Sequence, residues 1–335
     1  MKTKAVVFPA KDQIEIREVE TAPLAPDQIL TETLYTFVSP GTELRTLAGF
    51  YGADKKYPMI PGYSAVCRVI EAGKDVKAYR VGDLLSSRSS GAFVDIATHW
   101  GGEAGHHVSA GGPGHAVLPV GEDPLPYAVA EVASISCRGV QLANPEKGEH
   151  VLVIGQGMIG AFSAEFFRMK GCIVTVCDVD KRRLAESAAA GFATVDLSEP
   201  GAEERLAAFG CGGFDVVSEC SGYTQGVKLA YSQIRLGLRD SAARMRCHWP
   251  RLLLQATYVE EVPINPAYFF KGEGVAVLTP NDRELDDRKQ VVELIRRGEL
   301  DTRRFTKNIF TPEEMPNAYR QLQNHEINSV VCKWR

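Results

Sequence analysis

The chain has 335 residues, enough for about two domains of ordinary size, and its 44% hydrophobic composition allows each a substantial core. Its 38 basic and 42 acidic residues leave a formal charge of -4 and are spread along the chain, so no electropositive face for nucleic acid is expected. The N-terminus has too short an apolar stretch for a signal peptide, and no run of about 18 uncharged apolar residues occurs, so no membrane partner is expected and the cytoplasm is the default location.

Residues 4–8 and 13–18 read as short strands, and residues 28–36 (QILTETLYT) alternate polar and apolar as a half-buried strand does. Gly and Pro punctuate this first third at Pro40-Gly41, Pro61-Gly62, Gly82-Asp83, Gly101-Gly102 and Gly111-Gly112-Pro113-Gly114, a pattern that suits a partly open barrel of short strands. Four of the seven histidines, His99, His106, His107 and His115, fall in the same Gly-rich stretch. Imidazole is the usual near-neutral proton carrier and metal ligand, but their spacing matches no metal signature, and we read them as a solvated surface loop.

The texture changes near residue 128, where AVAEVASISCRGVQLA has helical spacing and leads through a turn to the apolar strand VLVIG at 151–155. A helix over 161–170, a strand over 173–178, a helix over 180–190 and a strand over 214–220 follow, with strand-like runs at 252–258 and 274–278. Apolar strands without alternation, each separated by a helix, indicate a parallel sheet covered on both faces. Residues 231–250 insert a basic segment that fits no clear element. Helices are predicted at 286–297 and at 312–323, where Pro312 suits the first turn, and a last strand at 328–334 returns to the first domain. The eight cysteines contain no C-x-x-C pair and read as small buried hydrophobes.

Directly after the strand at 151–154 comes Gly155-Gln156-Gly157-Met158-Ile159-Gly160, then a helix. In such a pattern the first glycine permits a tight turn, the second lets backbone approach a pyrophosphate, and the third lets helix pack on strand. The helix N-terminus offers unpaired N–H groups to the phosphates. Asp178 ends the next strand about 20 residues on, where a carboxylate accepts hydrogen bonds from ribose hydroxyls and repels a 2′-phosphate. NAD is therefore the expected cofactor, with Lys181, Arg182 and Arg183 standing close enough to reach a phosphate or to form a solvated first turn.

A β-rich start, G-x-G-x-x-G near mid-chain and Glu219-Cys220-Ser221-Gly222 after a later strand together resemble the medium-chain dehydrogenase/reductase superfamily over essentially the full length. Val81-Gly82-Asp83, Glu131-Val132-Ala133, Leu294-Ile295-Arg296-Arg297-Gly298 and Ala318-Tyr319 are further matches. The resemblance implies an α/β fold class: a GroES-like, β-rich, partly open barrel domain (1–128 and 290–335) plus a Rossmann doubly wound parallel-sheet domain (129–289). It also implies that Ser221 joins the cofactor-binding residues, that the substrate is a small molecule, and that the chain forms a homodimer or higher homo-oligomer.

Zinc members of that superfamily carry a Cys-Gly-Thr-Asp-like segment, yet here the stretch is Ser39-Pro40-Gly41-Thr42-Glu43, with Pro40 at the Cys position. Their Gly-His-Glu segment is Gly62-Tyr63-Ser64, and only Glu131 matches a position some members use as a ligand. A catalytic zinc needs about three protein ligands, so no metal is expected. These segments are similar to a zinc-less branch that includes bacteriochlorophyllide hydroxyethyl dehydrogenases and sugar or cyclitol dehydrogenases.

Oxidising a secondary alcohol without zinc requires hydrogen-bond donors or a general acid/base in the metal's place. Tyr63 is the leading candidate, by resemblance projecting its phenol into the vacated site. Thr42 matches the hydroxyl residue that relays protons in zinc relatives, and Glu43 is a candidate base or binder of substrate hydroxyls. The expected activity is hydride transfer between NAD(H) and a secondary alcohol of a polyol, sugar or cyclitol. The competing readings are an NADPH-dependent quinone or enone reductase and a non-catalytic, nucleotide-binding redox sensor.

Overall fold

In a computed structural model of the chain, residues 1–50, 56–88, 91–235, 249–258, 260–262, 274–280 and 284–335 are described. They fall into two units, Met1–Ser134 with Glu284–Arg335, and Ile135–Arg283. The division runs through a helix rather than a linker.

The first unit begins with β1 (Lys2–Val7) and β2 (Glu15–Glu20), paired antiparallel from Lys2 opposite Glu20 to Val7 opposite Glu15. Strand β3 (Gln28–Phe37) is followed by helix α1 (Pro40–Leu47) and then by β4 (Met59–Ile60), β5 (Ser64–Ala72), β6 (Leu84–Arg88), β7 (Ala97–Thr98), β8 (His106–Ala110) and β9 (Ala116–Val117). β3 is the hub: it pairs antiparallel with both β5 and β8. Because both its faces are covered, even Thr31 and Thr33 are fully buried. A buried hydroxyl must find a partner, and they donate to the carbonyls of His107 (3.2 Å) and Ala104 (2.6 Å). Register shifts at Leu30/Thr31 and Thr33/Tyr35 bend β3 against β5.

Helix α1 departs from the sequence expectation, which places only a motif there. Pro40 sits in its first turn, where the missing N–H costs nothing. Glu43 then reaches back to accept a hydrogen bond from the Ser39 N–H at 2.7 Å, satisfying a donor at the helix start.

Helix α2 (Ala130–Ala143) carries the chain into the second unit. There β10 (His150–Ile154), α3 (Met158–Met169), β11 (Ile173–Asp178), α4 (Lys181–Ala189), β12 (Ala193–Asp196), α5 (Ala202–Gly210), β13 (Val216–Glu219), α6 (Thr224–Gln233), β14 (Arg251–Leu254) and β15 (Ala276–Leu278) alternate strand and helix. The strands form one sheet in the order β12-β11-β10-β13-β14-β15, every pair parallel. Val151, Leu152 and Val153 are wholly buried, as are Val216, Val217, Leu252 and Leu253, which is why these central positions are apolar without alternation. The fold class is thus α/β: a GroES-like β-rich unit and a doubly wound, Rossmann-type parallel sheet. Most of the basic 231–250 segment, residues 236–248, lies outside the described residues.

The chain re-enters the first unit with α7 (Leu285–Arg296), then β16 (Ile309–Phe310), α8 (Met315–Gln323) and β17 (Val331–Lys333). The 312–323 stretch splits into a short 3-10 turn at Pro312–Glu314 and α8 proper. α8 buries Met315, Ala318, Tyr319 and Leu322, an i, i+3, i+4, i+7 stripe, and β17 pairs antiparallel with β3.

One ion pair ties the returning segment down. Arg288 of α7, 3% exposed, donates through Nε to Glu131 of α2, wholly buried, and through Nη1 to the carbonyls of Gly114 (2.8 Å) and Ser86 (3.4 Å). Removing the cation strands a buried carboxylate, whose cost exceeds that of replacing the whole pair by apolar groups. We expect Arg288→Met to lower unfolding free energy by about 3–5 kcal/mol in a urea titration, and Arg288→Met with Glu131→Leu to recover much of that loss.

Candidate active site

The glycine turn follows β10. Gly155 adopts φ +86°, and a Cβ on it would lie 2.8 Å from the Ser221 backbone nitrogen. A Cβ on Gly160 would lie 1.8 Å from the Gly155 carbonyl oxygen, so only glycine fits there. Around Gly157, which caps α3, a Cβ would meet nothing within 4 Å. The backbone is therefore open where a phosphate approaches, at the positive end of a helix. Met158 and Ile159 form the first turn of α3, Met158 buried and Ile159 half-buried.

Gln156 and Asp178 are locked together. The Gln156 N–H donates to Asp178 Oδ2 at 2.5 Å, while Asp178 Oδ1 accepts from the N–H groups of Val179 (2.7 Å) and Asp180 (2.9 Å). The Gln156 side-chain amide donates to the Gly155 carbonyl at 3.2 Å, and its oxygen accepts from Ser187 at 3.0 Å. Of the basic trio, Lys181 lies 3.5 Å from Asp196 and 3.6 Å from Glu199, Arg182 pairs with Asp180 at 3.4 Å, and Arg183 approaches Asp178 at 3.8 Å. All three are paired with carboxylates.

Ser221 is positioned by Glu219, a buried carboxylate that sequence reasoning did not single out. Glu219 accepts from the Ser221 N–H at 2.8 Å, from the Ser221 hydroxyl, from the Gly222 N–H at 3.2 Å and from the Tyr258 phenol. The signal was present in FDVVSEC, an apolar strand that ends on an acid. Val179 and Tyr223, which follow the ends of β11 and β13, expose 66% and 67% of their surface, unusual for large apolar groups beside a glycine turn.

In the first unit the structure brings together residues from the Ser39–Glu43 and Gly62–Ser64 segments. Tyr63, buried, donates its phenol to Ser39 Oγ at 2.7 Å. Its ring meets Trp100 edge-on at 5.1 Å, and Trp100 stacks on His99 at 3.7 Å. His99 Nδ1 lies 2.8 Å from Thr46 Oγ1. Thr42 is half-buried on the first turn of α1. Ser39, His99 and Trp100 were not among the expected catalytic groups, because their contacts join positions far apart in the chain.

Glu43 has an inward place, which corrects the expectation that it faces substrate. One oxygen accepts from the Ser39 N–H, and the other accepts from the Tyr319 phenol at 2.5 Å. Burial raises its pKa to about 7, against the pull of those two donors. Glu103, also buried, takes the Thr36 hydroxyl at 2.6 Å and leaves its other oxygen without a partner among the described residues. Burial, and then the charge of Glu43, push its pKa well up. Glu43 has two donors to stabilise its anion where Glu103 has one. A Cβ on Gly62, at φ +88°, would strike Glu103 Cγ at 2.5 Å, which explains the glycine before Tyr63.

The positions that hold zinc in similar enzymes do not suit a metal here. Pro40 has no ligand atom, the Tyr63 phenol is spent on Ser39, and Glu131 is paired with Arg288. Among the described residues, no three His, Cys, Asp or Glu side chains gather as a metal site.

The four histidines are not a solvated loop. His99, His106, His107 and His115 are all buried, two of them in β8. His106 Nδ1 lies 3.1 Å from Thr3, His107 Nδ1 3.4 Å from Thr33, and His115 Nδ1 2.9 Å from Ser87. Burial depresses the pKa of His107 to about 3 and that of His115 to about 4. Their hydroxyl partners come from elements distant in the chain, and burial holds His106, His107 and His115 toward the neutral form.

No family model matches the chain. It is 27% identical to an alcohol dehydrogenase of Geobacillus stearothermophilus over 58% of the chain and 63% of that protein, so it spans just under two thirds of that relative. It is 22% identical to a sorbitol dehydrogenase of Halalkalibacterium halodurans over 91% of both chains. A third relative is the 2-desacetyl-2-hydroxyethyl bacteriochlorophyllide A dehydrogenase of Cereibacter sphaeroides, 26% identical over 58% of this chain and 62% of that one. Among solved structures, 2R,3R-butanediol dehydrogenase from Bacillus subtilis superposes with a TM-score of 0.83 at 17% identity, over 99% of both chains. A dehydrogenase from Sinorhizobium meliloti, assigned to the zinc-binding type and solved with NADP, gives 0.82 at 20% identity, again over 99% of both. The chain is similar to medium-chain alcohol and sorbitol dehydrogenases and shares the fold of the solved structures. Among the described residues no helix is long and apolar enough to cross a membrane.

Two outcomes follow from this geometry. Gly160→Ala has nowhere to place its methyl, and we expect a loss of at least about 3 kcal/mol of stability, or NADH binding weakened at least about tenfold in a fluorescence titration, because helix and turn must part. His107 binds its proton at about pH 3 when folded and about 6.5 when unfolded, so its contribution to stability is complete above pH 6.5 and drains away as the pH falls. The stability gap between the wild type and His107→Asn is therefore expected to narrow by about 1.4 kcal/mol per pH unit between pH 6 and 4, measured by urea unfolding.

Proposed function

We propose that this chain is a dehydrogenase that transfers a hydride between NAD(H) and a secondary alcohol or ketone of a polyol, sugar or cyclitol, without catalytic zinc. The observation that carries it is the Gly155–Gly160 turn, open at Gly157 and closed on Asp178. The likeness to alcohol and sorbitol dehydrogenases supports the substrate class. Preference for NAD rests on Asp178, a charge held by three N–H donors where a 2′-phosphate would lie.

The nicotinamide, when bound, accepts or returns the hydride. Gly157 and the first N–H groups of α3, with Met158 and Ile159, would hold its pyrophosphate, and Asp178 its ribose. At the other reacting centre Tyr63 holds a proton on its phenolic oxygen and gives it to the carbonyl oxygen during reduction. Ser39 Oγ, 2.7 Å away, then turns its own hydrogen toward the phenolate. Thr42 offers a second hydroxyl on the adjoining turn. Glu43 acts at one remove, fixing Ser39 through its backbone N–H.

Purified protein is expected to reduce NAD with a panel of polyols, sugars and cyclitols, undisturbed by chelator and free of stoichiometric metal. Tyr63→Phe keeps the ring packing against Trp100 and removes the proton, so kcat should drop about 100-fold or more while the melting temperature changes little. Stoichiometric zinc with chelator-sensitive turnover, or full activity in Tyr63→Phe, would sink the zinc-free mechanism. A strong preference for NADPH with conjugated ketones would point to an enone reductase instead.

A further inference from the structure

Trp100 is an odd residue for its place. Its backbone lies at φ +72°, left-handed space that suits glycine and strains a bulky side chain, and Gly101 beside it is also left-handed at φ +74°. Strain of this kind persists only where the side chain is held by its surroundings. The indole is half-buried rather than sunk in a core. It stacks on His99 with an interplanar angle of 19° and takes Tyr63 edge-on at 64°. The backbone needs no indole at this position: the bond that the Gly91 N–H donates to the Trp100 carbonyl at 2.7 Å would form with a glycine equally well.

We propose that Trp100 is the specificity residue of this site: its indole takes the C–H face of a cyclic polyol, a cyclitol or a sugar in ring form, beside the hydroxyl groups of Tyr63 and Ser39. The inference rests on the dehydrogenase reading above and adds ring shape to it. An aromatic face is electron-rich, and C–H groups next to hydroxyl-bearing carbons are electron-poor, so the two attract. A ring holds several such C–H groups on one side at no torsional cost. An open-chain polyol must freeze its backbone torsions to present the same surface. The polar groups around it, Ser39, Thr46, Tyr63 and His99, are buried and paired with one another, so they fix the indole and leave its exposed part as the surface a ligand meets.

The test compares wild type, Trp100→Gly and Trp100→Phe as full-length protein, with myo-inositol and methyl glucoside set against sorbitol, xylitol and benzyl alcohol. Turnover with NAD and calorimetric binding in the presence of NAD are both read. Wild type should favour the ring polyols. Trp100→Gly should lose about tenfold in kcat/KM and affinity for them while changing little for the open chains, and Trp100→Phe should keep most of the preference. The melting temperature of Trp100→Gly should hold or rise, since glycine suits φ +72°. A ring preference intact in Trp100→Gly overturns the proposal, as does a lower melting temperature with equal losses on every substrate, or benzyl alcohol as the favoured ligand. If no alcohol turns over, the dehydrogenase reading fails by itself. Calorimetry then decides the platform: ring-selective binding lost in Trp100→Gly sustains it, and its absence overturns it.

Discussion

The carbonyl of Gly155 and the α-carbon of Gly160 approach so closely that a methyl group on the latter would sit 1.8 Å from the former's oxygen. That contact presses α3 onto the end of β10, and much of the second unit depends on it. It aims the first turn of α3 past Gly157 into open space and brings the Gln156 N–H against Asp178 on the neighbouring strand. It also leaves Gly155 abutting Ser221, which Glu219 holds from β13. Three adjacent parallel strands are thus registered around one steric limit, and their carboxyl ends form a single surface.

The first unit solves a different problem. Buried polar groups there must be satisfied from within. Tyr63 and Ser39 do so as a hydroxyl pair, and Glu43 with Tyr319 anchors that pair from behind. Two carboxyls end up buried close enough for the charge of one to raise the pKa of the other. Like charges in an apolar setting cannot both ionise cheaply, and burial disfavours each anion as well.

What the sequence disclosed followed the range of the interactions. The parallel sheet was legible because β10 from Val151 to Ile154 and the start of β13, Val216 and Val217, are buried and apolar without alternation, and the glycine turn because its constraint acts within six consecutive residues, Gly155 to Gly160. Helix α1 was hidden, since PGTELRTL opens with Pro-Gly and is steadied by Tyr319, 276 positions from Glu43. The histidines misled for a related reason. Gly-rich surroundings read as loop, whereas β8 pairs with β3 and each imidazole answers a hydroxyl from an element distant in the chain. Glu43 seemed free to face a substrate because nothing local reveals that the Ser39 N–H and the Tyr319 phenol claim both of its oxygens. The edge contact of Trp100 had no local signature, as its partner Tyr63 comes from a distant part of the chain.

The closed state of Asp178 also bears on how a nucleotide is received. Both of its oxygens already accept backbone N–H groups, from the turn before α3 and from the start of α4. The loop's freedom is surrendered when the chain folds, not when a ligand arrives, so association carries little further entropic penalty at this end. On the proposed reading, ribose hydroxyls would have to share an acceptor that is already in use, so nucleotides that differ in the ribose would be told apart by an exchange of hydrogen bonds on a preset loop.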